Sequence, residues 1–128
     1  MKYMLIHYID EALLNAWDDG QAELSPEDDR DLTAWDEEMD SRGILIGGGR
    51  LTLPRASTTL RVRDGEMLIT DGPFAETKEH LSGFIIIDAR DLNEAIRLAG
   101  NIPMARLGTI EVRPVRELER TDLGEAGA

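Results

Sequence analysis

Asp71-Gly72-Pro73-Phe74-Ala75-Glu76-Thr77-Lys78-Glu79 separates two runs with the composition of β-strands, and its reading decides how the rest of the chain is placed. Gly72 permits unusual backbone angles, Pro73 fixes φ and removes an amide donor, and the Asp71 carboxylate is of a type that accepts hydrogen bonds from a following turn. The stretch therefore predicts a rigid corner. It presents Asp71, Glu76, Thr77, Lys78 and Glu79 in one short segment, which marks a candidate site, although no known catalytic signature is complete.

Upstream, Thr58–Arg63 and Glu66–Thr70 alternate about Asp64-Gly65, a strong hairpin signal. Downstream, Gly83–Asp88 is short, continuously apolar and rich in β-branched residues, the pattern of a strand covered on both faces. Near the N-terminus, Met4–Ile9 predicts a central strand with Tyr3, Leu5, His7 and Ile9 on one face and Met4, Ile6 and Tyr8 on the other. Between Glu11 and Leu24 only a short helical turn inside a longer loop is expected.

Ser25-Pro26-Glu27-Asp28 reads as a helix start, with Ser25 as N-cap, Pro26 in the first turn and acids where the helix dipole favours them. Leu32, Trp35 and Met39 form its apolar stripe, and Gly43 is placed to end it in a left-handed conformation. Ile44-Leu45-Ile46 begins a strand that Gly47-Gly48-Gly49 weakens, which predicts a bulge or a close backbone approach. The triple glycine lacks the pattern of a phosphate loop. Asp91 and Glu94 open a second helix that Gly100 and Pro103 stop, and Thr109–Val115 is a final strand whose proline favours an edge.

The order is strand, helix, strand, hairpin, strand, helix, strand: two βαβ-like halves around an inserted hairpin, the ferredoxin-like α+β class. The motif Asp71–Glu79, with Gly83-Phe84 after it and Glu111-Val112-Arg113-Pro114-Val115 at the end, resembles the DGPF-domain branch of the YCII-related proteins over Met1 to Val115. That resemblance implies a ferredoxin-like domain of the dimeric α+β barrel type, in a family whose activity is mostly unassigned. YCII-related proteins outside this branch are associated with a His–Asp pair, which no shared motif places here. DGPF proteins also resemble partners of alternative sigma factors, which implies a transcription-linked alternative.

With 128 residues the chain is expected to be one domain over 1–116 with a flexible tail over 117–128. It has no cysteine, so disulfides and thiolate metal sites are excluded. The apolar run Lys2–Ile6 is too short for a signal segment or membrane span, and a cytoplasmic protein is the expectation. The net charge of −12 repels phosphate backbones and anionic lipid, so direct nucleic-acid and membrane binding are not expected. Eleven acids face the single base Arg30 between Asp18 and Asp40, which reads as a solvated helix face or a partner-docking surface. Two helices cover one face of the sheet, so the other predicts a homodimer.

The candidate catalytic residues are Asp71, as a general base, and His7, as a proton shuttle on the first strand. Phe74, Glu76, Lys78 and Glu79 are the candidate binding residues, Lys78 pairing with an anionic group and Phe74 either plugging the core or lining a pocket. The plainer reading makes Asp71 a turn cap, pairs the charges with one another, and leaves His7 a strand histidine and His80 exposed. No HxxxH, HxH, HExxH or EF-hand pattern occurs, and neither metal nor cofactor is expected. Two functions follow: a dimeric small-molecule-binding protein, with acid–base chemistry in a pocket between the first strand and the Asp71 corner, or a non-catalytic regulatory module.

Overall fold

The computed structural model describes residues 1–18 and 24–118. A four-stranded antiparallel sheet has the order β2-β5-β1-β6, formed by β1 (Lys2–Asp10), β2 (Leu45–Arg50), β5 (Glu79–Asp88) and β6 (Thr109–Pro114). Between β2 and β5 the chain makes a separate hairpin, β3 (Thr58–Arg63) and β4 (Glu66–Asp71). The helices are α1 (Glu11–Asp18), α2 (Pro26–Ser41), α3 (Leu92–Ala99) and the one-turn α4 (Met104–Leu107). This is the expected ferredoxin-like α+β arrangement with an inserted hairpin.

The alternation of β1 is realised as read. Tyr3, Leu5, His7 and Ile9 are buried against the helices, while Met4, Ile6 and Tyr8 are half-buried on the outer face. The core joins Leu5, Ile9 and Ile87 of the sheet to Leu14, Trp35, Met39, Ala95 and Leu98 of the helices. Trp35 also donates its indole N–H to the Leu98 carbonyl at 2.9 Å, which ties α2 to α3 with a satisfied buried donor.

The caps follow the local chemistry. Ser25 Oγ accepts from the Asp28 amide at 3.0 Å and Asp91 Oδ1 from the Glu94 amide at 2.9 Å, filling orphan donors of α2 and α3. Gly43 follows α2 at φ 69°. At the hairpin, Asp64 and Gly65 both take positive φ, 53° and 77°, the type I′ geometry whose twist suits two short strands.

Three expectations are corrected. Residues 11–18 form a two-turn helix rather than a single turn, because Asp10 Oδ1 caps it by accepting from the Leu13 amide at 2.8 Å. The strand read from Gly83 begins at Glu79, since antiparallel pairing with β1 continues past a bulge at His7/Tyr8 to Asp10↔Glu79. His80 is buried, because Cα pairing with Ile9 puts it on the helix-covered face. The remainder of the region read as loop, residues 19–23, lies outside the described residues. So does most of the expected tail; of its first two residues, Glu117 lies 3.3 Å from Lys2 Nζ.

The glycines of β2 answer to the expected bulge, a register shift between Leu45 and Gly47. Gly48 also allows a close approach: a Cβ there would stand 2.6 Å from the Phe84 carbonyl oxygen of β5. β2 thus lies against β5 with little side-chain bulk, leaving space on the helix-covered face.

Candidate functional site

That space is a cavity of about 670 Å³ between the sheet and helices α1 and α2. Its sheet side is His7, Leu45, Gly47–Arg50, Ser82, Gly83 and Ile85; Leu14, Trp17, Leu24, Leu32 and the segment Ile102–Met104 supply apolar walls. Asp36, Glu37 and Asp40 border it from α2. A space of this size, largely apolar with a few converging polar groups, has the character of a small-molecule site.

His7 is its most informative group. The side chain is buried, the residue retaining 8% of its exposure, and Nε2 has no hydrogen-bond partner among the described residues. Burial lowers the His7 pKa from its ordinary value, so the neutral ring is favoured near pH 7. His7 lines the cavity while Nε2 itself is shut off from solvent, so this neutral imidazole can take a proton only from a group that reaches the buried ring nitrogen. Ser82 beside it is already committed, since its hydroxyl donates to the His7 carbonyl oxygen at 3.2 Å.

Asp36 is the second titratable group at this cavity whose ionisation is perturbed. Asp36 stays exposed at the cavity rim, and partial desolvation there raises its carboxyl pKa from the ordinary value. The sequence reading placed Asp36 on a solvated acidic face. A signal for a different role was present, since residues 32, 35, 36 and 39 follow helical spacing and Asp36 stands within the stripe of Leu32, Trp35 and Met39. At the mouth, the Arg50 guanidinium lies 5.5 Å from the Trp17 ring centre, a cation–π contact linking β2 to α1.

Of the sequence-derived candidates, His7 lines this cavity, and Asp71, Phe74, Glu76, Lys78 and Glu79 are not among its lining residues. Asp71 ends β4 exposed, and its carboxylate takes no hydrogen bond from a described residue. The corner is instead held by main-chain and threonine contacts: Gly72 N–H donates to the Ser57 carbonyl at 2.7 Å and Thr59 Oγ1 to the Gly72 carbonyl at 2.7 Å. Phe74 is 78% exposed, so within one chain it neither plugs the core nor lines the cavity. Glu76 and Lys78 are exposed; Glu79 sits in β5 and accepts from Thr109 Oγ1 at 2.9 Å. His80 lies deeper along β5, its Nε2 4.0 Å from Glu11 Oε2 and without a hydrogen bond among the described residues.

Comparison with known proteins agrees with this architecture. The profile of the YCII-related domain matches residues 1–119. The chain belongs to the YCII-related family. A YCII relative, an uncharacterized protein of Rhizobium meliloti (strain 1021), is 40% identical over 121 residues, covering 90% of this chain and 92% of the relative. Among solved structures, this YCII chain is similar in fold to 5-chloro-2-hydroxyhydroquinone dehydrochlorinase from Burkholderia phenoliruptrix AC1100 in complex with 2,5-dihydroxybenzoquinone. The TM-score is 0.51 at 16% identity, over 91% of this chain and 95% of the other. No helix among the described residues is long and apolar enough to cross a membrane.

Proposed function

We propose that this YCII-related protein binds a small, mostly apolar molecule in the cavity beside His7 and moves a proton on it without a cofactor. The observation that carries the reading is His7 on the wall of a cavity of about 670 Å³, its buried Nε2 without a hydrogen-bond partner among the described residues. His7 takes a proton from an acidic C–H or O–H of the ligand. The Asp36 carboxyl at the cavity rim, in its protonated form, gives one to the ligand oxygen on which charge develops. The products are a rearranged ligand, an imidazolium at His7 and a carboxylate at Asp36, and solvent exchange through the open mouth returns both groups to their starting states.

The ligand class is a ring compound bearing ionisable oxygens, supported by the apolar walls, by Trp17 and by the hydroxylated quinone bound to the dehydrochlorinase of similar fold. Membership of the DGPF branch, assembly as a homodimer and a cytoplasmic setting belong to the same proposal. The motif Asp71–Glu79 supports the first and the apolar outer face of the sheet the second. Asp71 and its neighbours then act at the assembly level or as scaffold, away from the proton transfer.

Thermal-shift titration with 2,5-dihydroxybenzoquinone and related hydroxylated rings tests this reading, because a ligand selective for the native state raises its melting temperature. A saturable rise is expected, one that Leu32→Arg removes by filling the cavity. Failure of every ring compound to shift the wild type would overturn it. A second reading, a non-catalytic regulatory module working with an alternative sigma factor, is favoured by the exposed acids of α2, among them Asp29, Asp31, Glu37 and Glu38. Saturable binding of a sigma factor that charge reversal on α2 abolishes would support it.

A further inference from the structure

The β3–β4 hairpin carries an apolar face that its own chain leaves uncovered. Alternate residues of a strand share a face, and the cross-strand pairs Leu60↔Ile69 and Val62↔Met67 put all four of these side chains on one side. They remain 54–63% exposed. The reverse side, with Thr59↔Thr70, Arg61↔Leu68 and Arg63↔Glu66, is mainly polar. A two-stranded hairpin is marginal in water by itself, so an apolar side this well patterned requires cover.

The same chain holds a second uncovered apolar surface. On the outer face of the main sheet, Met4↔Ile86 and Ile6↔Phe84 lie side by side, with Ile46 half-exposed on β2. The core lies wholly on the opposite face, with the helices.

We infer that the β3–β4 hairpin is an exchange arm: in a two-fold homodimer each arm lays its Leu60, Val62, Met67 and Ile69 face on the outer sheet face of the other protomer. The inference rests on the homodimer proposed above and adds the element that builds it. A two-fold operation covers both orphan surfaces of both chains at once, since each copy presents the same arm and the same sheet.

Charge sets the geometry in which two copies meet at lowest cost. Each chain carries −12, and its acids are concentrated on α2, which packs on the helix-covered side. Two such chains approach at lowest cost through their outer faces, which leave the acidic helices far apart. The surfaces brought together are apolar on the arm and apolar or balanced on the sheet, where Glu111 stands near Arg113 on β6. The arm is also preformed, because Gly72–Ser57 and Thr59–Gly72 hydrogen bonds clamp its base. Phe74, at that base, then meets the partner rather than water.

The chain has no cysteine, so one introduced thiol is unique. Sedimentation velocity on the full chain is expected to give twice 14.2 kDa for the wild type. The arm-face variant Val62→Lys/Ile69→Lys is expected to weaken the dimer about 100-fold, whereas Leu68→Lys on the reverse side leaves it intact. Both variants alter exposed positions, and unchanged circular dichroism verifies folding. In a mixture of 14N and 15N chains, a benzophenone on Ile69→Cys is expected to cross-link to β1 or β5 of the other isotope. A wild-type monomer sinks the homodimer and the arm together. A dimer that survives Val62→Lys/Ile69→Lys, or cross-links confined to one isotope, overturns the arm and leaves the homodimer standing.

Discussion

Replacing Gly48 by alanine tests the idea that the cavity exists because β2 lies unusually close to β5. The added methyl would meet the Phe84 carbonyl oxygen at 2.6 Å and the Ile85 Cα at 3.2 Å, where ordinary contact begins at 3.4 Å. Both obstacles are backbone of a central strand, so neither swings aside as a side-chain tip does. The strand β2 must move instead and strain its pairing at Gly48↔Ile85 and Gly49↔Phe84. Overpacking of this kind costs about 1–3 kcal/mol, and one weakened ladder hydrogen bond adds about 1 kcal/mol. A total of about 2–4 kcal/mol lowers the melting temperature of a domain this size by about 6–16 °C. Gly47→Ala is the internal control, one residue away in the same strand. Nothing lies within 4 Å of its Cβ, and its φ is not in the left-handed region. Reduced freedom of the unfolded chain then makes that variant equal to wild type or more stable by about 0.4–1 kcal/mol. Calorimetric melting of the three proteins decides. Gly48→Ala melting no lower than Gly47→Ala would refute the close-approach argument and the account of why β2 is so rich in glycine.

Protonation of His7 gives a pH dependence of definite sign. Its folded pKa lies below the ordinary 6.5, so its contribution to stability is full above pH 6.5 and is lost as pH falls below it toward the folded value. Urea midpoints between pH 8 and pH 5 should fall more steeply for wild type than for His7→Gln, and equal slopes would contradict the buried neutral ring. Ser25→Ala is expected to cost about 1 kcal/mol by freeing the Asp28 amide, and Ser25→Asp to restore most of it, read by chemical denaturation. Trp35→Phe keeps most of the apolar volume and removes the 2.9 Å donor of the Leu98 carbonyl, which retains the Asn101 amide at 3.3 Å, for a loss of about 0.5–1.5 kcal/mol. Asp71→Asn and Asp71→Ala should both melt within about 0.5 kcal/mol of wild type, as exposed positions without a partner do. A loss near 1 kcal/mol in Asp71→Ala alone would restore a capping role.

Local chemistry made much of the fold legible in the sequence. The period of two in Tyr3–Ile9, the Asp64-Gly65 turn, the Ser25 and Asp91 caps and the glycine run of β2 each act over a few residues, and each appears in the structure where it was read. The site was less legible because burial and convergence belong to no single segment. A cluster of polar side chains in one short corner drew attention to Asp71–Glu79, yet the corner projects outward and the cavity forms elsewhere, from six elements spread along the chain. His7 was recognisable as a histidine on a covered strand; that its Nε2 lacks a partner among the described residues follows only from the placement of the surrounding elements. Asp36 is exposed as the acidic face was read to be, and only the packing of α2 shows that it also borders the cavity. The sequence by itself determined the strands and the two longer-read helices, α2 and α3, though not α1 or α4, since hydrogen-bonding turns, caps and apolar periodicity are properties of neighbouring residues. Only the tertiary structure decided which polar groups share one enclosed space and which apolar faces remain bare. Desolvation, and with it the proton affinity of His7 and Asp36, is set by atoms that come from the rest of the chain.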